Sequence, residues 1–105
     1  MTWRRAQMFY TYILGSRRNG TLYTGMTDDL IRRMVEHKGK TFSGFAAKYD
    51  VNRLVWFEDH PERHLAFRRE RQIKEWHRLW KVGLIERYNP NWRDLTGELD
   101  QLITG

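Results

Sequence analysis

Two aromatic and β-branched runs on either side of an Asn-Gly pair constrain this chain more than any other feature. Met8 to Leu14 is the first run, Arg17-Arg18-Asn19-Gly20 holds the turn, and Leu22 to Met26 is the return. Asn and Gly accept the positive φ that a two-residue hairpin turn requires, so two antiparallel strands joined there are expected. Thr27-Asp28-Asp29 then offers a cap and first-turn acids, and Leu30, Ile31, Met34 and Val35 form an apolar stripe at helical spacing through Lys38. Gly39 to Asp50 is polar, with Phe42, Phe45 and Tyr49 interspersed, and reads as a loop or short helix on the basic side. Asn52 to Phe57 reads as a buried strand, and Pro61 stands where a helix begins. The pattern predicts a long helix over roughly residues 62–80, with Ala66, Ile73, Trp76 and Trp80 facing the sheet. Lys81 to Arg87 extends it as a further turn or helix, Asn89-Pro90-Asn91 stops it, and Trp92 to Ile103 forms a short closing helix. The order is β-β-α-β-α-α, a small α+β domain spanning residues 1–105 as one unit.

Composition narrows the partners. Nineteen Lys and Arg against thirteen Asp and Glu give a net charge of +6. That points to a polyanion, nucleic acid ahead of a membrane surface. Residues 1–50 carry nine basic and four acidic side chains, so an anion-binding face should draw on the first half. The absence of cysteine excludes disulfides, a thiolate nucleophile and Cys-containing zinc sites, leaving O and N ligands for any metal. No apolar run approaches the length of a membrane span, and the short run after Arg4-Arg5 lacks a small-residue cleavage site; a cytoplasmic protein is expected.

Five positions or pairs invite chemistry, each with a plainer alternative. Tyr12 and Tyr23 lie eleven residues apart on consecutive strands, close enough to meet, although tyrosines there also serve as ordinary cross-strand packing. Arg33 and His37 share a helix face at i, i+4 and suit a phosphate or a solvated flank; spacing does not choose Arg33 over Arg32. Glu70 borders the apolar stripe, where a carboxylate needs a metal or an ion pair with Arg69, Lys74 or Arg33. Asn89 precedes a proline, a common helix stop. His60 and His64 have the spacing of zinc ligands without a HExxH motif or a third ligand, and read as solvated helix-start residues.

The ordered set resembles the GIY-YIG nuclease superfamily, in its small stand-alone YhbQ-like, UPF0213-type branch. Tyr10-Thr11-Tyr12 stands where that family has GIY, and Leu22-Tyr23-Thr24-Gly25 where it has YIG. The helix from Asp29 to Lys38, the stretch Arg69 to Trp76, and Leu84-Ile85-Glu86 through Asn89-Pro90-Asn91-Trp92 continue the match. Tyr10 and Thr11 replace Gly and Ile of the first motif, and Thr24 replaces Ile of the second; the functional tyrosines survive.

The resemblance implies a three-stranded antiparallel sheet flanked by helices and a DNA endonuclease using Mg2+ or Mn2+. It assigns Glu70 to the metal, Arg33 to the scissile phosphate, and Tyr12 and Tyr23 to activating or positioning the attacking water. Which tyrosine is the base stays open in the family, and the preference here is Tyr12. His37 assists at the phosphate or water, and Asn89 supports the site by hydrogen bonds. Arg17, Arg18, Arg32, Lys38, Lys40 and Lys48 are expected to track the DNA backbone. The alternative is a binding module for branched or single-stranded nucleic acid that does not cleave.

Overall fold

The computed structural model describes residues 7–39, 44, 48–99 and 101. Among them the chain forms β1 (Phe9–Gly15), β2 (Leu22–Thr27), α1 (Leu30–Lys38), β3 (Arg53–His60), α2 (Arg63–Lys74) and α3 (Arg78–Tyr88), then a 3₁₀ turn over Leu95–Glu98. The order β-β-α-β-α-α is the one the pattern predicts. The strands make one antiparallel sheet, β2-β1-β3, with β1 in the centre because its aromatic and branched run is buried on both faces.

Alternation along β1 divides the core in two. Tyr10, Tyr12 and Leu14 pack with Leu54 against Leu30 and Met34 of α1, joined by Val51 and Leu99. Ile13, Val55 and Trp56 face the other way, against Ile73 of α2, Ile85 of α3 and Trp92. A bulge leaves Val55 between the pairs Ile13–Trp56 and Leu14–Leu54. Asp29 supplies the expected N-cap of helix α1, accepting from the Arg32 backbone N–H at 3.1 Å, but the helix starts at Leu30 and its first turn holds no acid.

Several expectations need correction. The hairpin is not closed by a two-residue turn. Gly20 N–H donates to Arg17 O at 2.9 Å and Ser16 N–H to Thr21 O at 3.0 Å, so four residues turn the chain, with Asn19 in the left-handed region at φ 58°. Strand β3 runs on to His60 rather than ending at Phe57, because Glu58, Asp59 and His60 continue the ladder opposite Thr11, Tyr10 and Phe9. His60 is therefore not a solvated helix-start residue; its ring meets Thr11 Oγ1 and Glu58 Oε1, each at 3.3 Å.

The helix predicted over residues 62–80 is two helices. Glu75 and Trp76 close α2 with tightened bonds to Gln72 O and Ile73 O, and His77 takes an extended conformation before α3 starts. A single helix from Arg63 to Tyr88 would run about 39 Å. An eight-residue strand such as β3 spans only about 27 Å. The break folds Ile85 back onto the sheet and turns Trp80 outward, 63% exposed instead of facing the core. Of the expected Trp92–Ile103 helix, the described part is the 3₁₀ turn, with Trp92 and Leu99 buried. Among the described residues, no helix is long and apolar enough to cross a membrane.

Candidate active site

The site is built on the α1 face of the sheet near its free edge, β2. Tyr12 lies opposite Gly25, and Tyr23 lies opposite Leu14, so the two tyrosines are diagonal neighbours on one face. Their ring centroids are 6.4 Å apart. Helix α1 brings His37 against both, at 6.1 Å from the Tyr12 ring and 5.9 Å from Tyr23. The Tyr12 hydroxyl and His37 Nε2 are 3.3 Å apart and hydrogen-bonded.

Gly25 is what makes room for this arrangement. A Cβ there would stand 2.6 Å from the Tyr12 hydroxyl oxygen and 3.1 Å from Cε1 of Tyr23. The sequence reading missed Gly25 as a site residue; a glycine inside a strand was the available signal, since it marks a close approach.

The choice between the two arginines is now made by geometry. Arg32 points to solvent, its side chain 75% exposed, and pairs with Glu36 at 3.7 Å. Arg33 is held by the same carboxylate at 3.6 Å but is only 34% exposed, and its charge acts on the Tyr12 hydroxyl. Glu70 comes from α2 across the sheet; its carboxylate pairs with Lys74 at 3.7 Å, is only 13% exposed, and acts electrostatically on Tyr12. Arg69, considered as its partner, instead binds Glu58 at 3.1 Å and covers Trp56 and Trp76.

Electrostatics separates the roles of these groups. Burial pushes the Tyr12 hydroxyl well above the ordinary phenol range; Tyr23 and Glu70 push the same way, while Arg33 opposes them by its charge. The residue is 1% exposed. A sealed phenol of this kind stays protonated and does not meet solvent. Burial also lowers the pKa of His37, Arg33 adds to that lowering, and Glu36 works against it. His37 is thus a neutral imidazole at physiological pH, and in the tautomer that carries its proton on Nδ1 it accepts from Tyr12.

Asn89 is not brought to this cluster. Its amide donates to Val55 O at 3.1 Å and Arg93 O at 2.9 Å, and its Oδ1 accepts from Arg93 N–H at 3.1 Å. All its hydrogen bonds therefore go to backbone beside β3, the opposite edge from β2, where they latch the chain leaving α3.

The residues expected on the DNA backbone divide similarly. Arg17 and Arg18 stand exposed on the hairpin turn, and Lys48 lies 5.4 Å from the Tyr49 ring. Lys38 is committed elsewhere: its Nζ donates to Asp94 Oδ2 at 2.6 Å and Asn52 O at 3.1 Å. Burial works to raise the Asp94 carboxyl, but hydrogen bonds from Lys38 and Thr96 outweigh it and hold the group below the usual carboxylate range. Lys40, with Phe42 and Phe45, lies outside the described residues.

Among the described residues, no three His, Cys, Asp or Glu side chains stand together as a metal cage. A cation at Glu70 would have one protein carboxylate. That donor set fits Mg2+ or Mn2+, which retain waters and take substrate phosphate oxygens, and does not fit a structural metal.

Residues 8–83 match the GIY-YIG catalytic domain. The UPF0213 protein of Haloquadratum walsbyi is 40% identical over 81 residues, covering 73% of this chain and 85% of the relative. That of Pediococcus pentosaceus is 35% identical over 83 residues, covering 75% and 82%. The solution structure of a UPF0213 protein from Bacillus halodurans superimposes with a TM-score of 0.53 at 28% identity, over 85% of this chain and 94% of that one. The tyrosine hairpin, the arginine helix and the edge carboxylate are thus carried on a chain that belongs to the GIY-YIG family, among its small UPF0213 members.

Proposed function

We propose that the chain is a divalent-metal-dependent endonuclease that hydrolyses DNA phosphodiester bonds. The observation carrying this reading is the convergence of Tyr12, Tyr23, Arg33 and His37, with the charge of Glu70, from two strands and two helices at the open edge of the sheet. No packing requirement calls for a half-buried carboxylate and a half-buried guanidinium beside one phenol.

In this mechanism Arg33 binds the non-bridging oxygens of the scissile phosphate and stabilises the charge that grows as water attacks phosphorus. Glu70 would hold the cation, which when bound would supply Lewis acidity at the phosphate. The water-facing tyrosine is Tyr23 rather than the initially preferred Tyr12. Tyr23 is partly exposed, whereas Tyr12 is sealed and its ionisation is suppressed. Tyr23 orients the water and, acting as base in its phenolate form, takes the proton and is left as the phenol. Tyr12 is a positioning residue, fixing His37 through its hydroxyl and lying within the field of Arg33.

The test is cleavage of supercoiled plasmid and a panel of branched and flapped DNAs by purified protein, with Mg2+, Mn2+ or EDTA. Nicking that requires the cation and falls further in Tyr23→Phe than in Tyr12→Phe is the expected result. Binding without any cleavage under all metals would hand the function to a non-cleaving nucleic-acid module.

A pH profile tests the His37 arrangement. Protonation turns Nε2 from acceptor to donor, which reverses its bond with the Tyr12 hydroxyl and sets a second cation beside Arg33. Because the folded His37 pKa is depressed, the neutral ring persists as pH falls, and kcat should decline only at a midpoint below the ordinary value of 6.5. His37→Gln, neutral at every pH, should lose that limb. An acid limb unchanged in His37→Gln would assign it to another group.

A further inference from the structure

Helix α3 has a second apolar face that the fold does not use. Ile85 turns inward, whereas Leu79 and Trp80 point to solvent at 81% and 63% exposure. The Trp80 ring meets Trp76 edge-on, with centroids 6.0 Å apart and planes at 73°. Nothing lies within 4 Å of where a Cβ of Gly83 would stand, one turn further along, so the surface stays open there.

The charges around this face decide what it can receive. Between Arg68 and Tyr88 the chain carries seven basic and three acidic side chains. On α3 itself the one acid, Glu86, is turned to Trp92, accepting from its indole N–H at 2.8 Å. Arg78, Lys81 and Arg87 are left to set the potential. Arg78 also donates to Gly20 O at 2.7 Å, which ties the Arg17-Arg18 turn to the start of this helix. A second copy of this chain would bring the same cations against themselves. An anionic partner with flat apolar groups matches both features, and unpaired nucleobases on a phosphate backbone have them.

We propose that the outer face of α3, centred on Trp80, is a stacking platform for an unpaired base of a single-stranded nucleic-acid segment, whose phosphates lie on Lys81 and Arg87. Trp80 and Leu79 receive the base, and Trp76 buttresses the indole. The proposal rests on the nucleic-acid reading of the site near β2. It adds that the substrate carries a single-stranded arm, held across α2 from the hydrolytic residues.

The experiment is fluorescence anisotropy with a labelled single-stranded oligonucleotide and a matched duplex, in EDTA so that nothing is cut. Trp80→Ala should weaken single-strand affinity about tenfold, the scale of one lost base stack, and change duplex affinity less than about twofold. Trp80→Phe should keep most of the affinity while removing the indole emission that the oligonucleotide quenches. Both variants change an exposed side chain, so their melting temperatures should match wild type and exclude misfolding as the cause.

Equal single-strand affinity in Trp80→Ala and wild type overturns the platform, as does an equal loss on duplex. A concentration-dependent mass increase by light scattering that Trp80→Ala abolishes would give the face to a second copy. Binding of phosphatidylglycerol vesicles lost in Trp80→Ala, with oligonucleotide binding intact, would give it to a lipid surface. Because the assay contains no metal, a platform found without nuclease activity, or activity without a platform, each leaves the other reading separately decided.

Discussion

Arg33→Ala and Glu70→Ala are each expected to lower the rate of metal-dependent cleavage by about 10³-fold, the scale seen when a group that stabilises transition-state charge is removed. Neither change should cost much stability. The Arg33 side chain is 34% exposed and its ion pair with Glu36 is 3.6 Å long, while Glu70 has a single ion pair to an exposed lysine. Pairs of this kind contribute at most about 1 kcal/mol. Arg32→Ala is the internal control: it removes the same charge one residue earlier and leaves the Arg33 guanidinium in place, so kcat at saturating DNA should stay close to wild type, and a lost backbone contact should appear in affinity instead. Arg33→Lys should recover only part of the loss, because an ammonium lacks the planar fork that grips two phosphate oxygens. The double variant should be little worse than either single one, since both groups act on one phosphate. If Arg32→Ala costs as much as Arg33→Ala, the Arg33 guanidinium has no special role and the effect is general charge. A Glu70→Ala protein that still cleaves with Mg2+ would move the cation elsewhere.

What could be read from the sequence divides according to how local its cause is. The tyrosine hairpin was legible because strand alternation and Asn19-Gly20 act over a few residues, and Tyr12 and Tyr23 do share a face. Glu70 was legible as a carboxylate at the border of an apolar stripe that needs a partner, and it pairs with Lys74, one of the three partners that spacing offered. The break between α2 and α3 was not: Glu75-Trp76-His77 contains neither Gly nor Pro, and the interruption comes from the sheet, which offers no surface for a straight helix to continue along. Trp80 followed that error into the core. Arg32 and Arg33 could not be told apart until α1 was laid on β1 and β2, which fixes its rotation. Asp94 gave no signal at all. Its carboxylate takes Leu54 N–H and Thr96 N–H on one oxygen and Lys38 on the other, joining β3, the 3₁₀ turn and α1 across distances in sequence that no pattern reports. His60 was misread because Pro61 suggested a helix start, when the ladder to β1 runs through Phe9 and His60.

Gly25→Ala should destabilise the protein and disturb the site together. The new Cβ would lie 2.6 Å from the Tyr12 hydroxyl oxygen and 2.7 Å from the ring carbon that bears it, distances at which something has to move. The phenol has little room to do so: it is 1% exposed, bonded to His37, and packed with Leu30, Met34 and Leu54. Overpacking of this kind costs about 1–3 kcal/mol. For a domain this size, that corresponds to a melting temperature lower by roughly 4–20 °C. Activity should fall with it, at temperatures where the variant is fully folded, because displacing Tyr12 misplaces His37, which its hydroxyl holds, and disturbs the packing against Tyr23. Gly83→Ala supplies the contrast. That glycine sits inside α3 with nothing within 4 Å of a new Cβ, so the substitution should raise stability by up to about 1 kcal/mol through helix propensity alone. Thermal melts of the two variants beside wild type test the packing argument directly. Gly25→Ala melting like wild type would mean that the Tyr12 ring is free to shift, and the rigid constellation argued for the site would go with it.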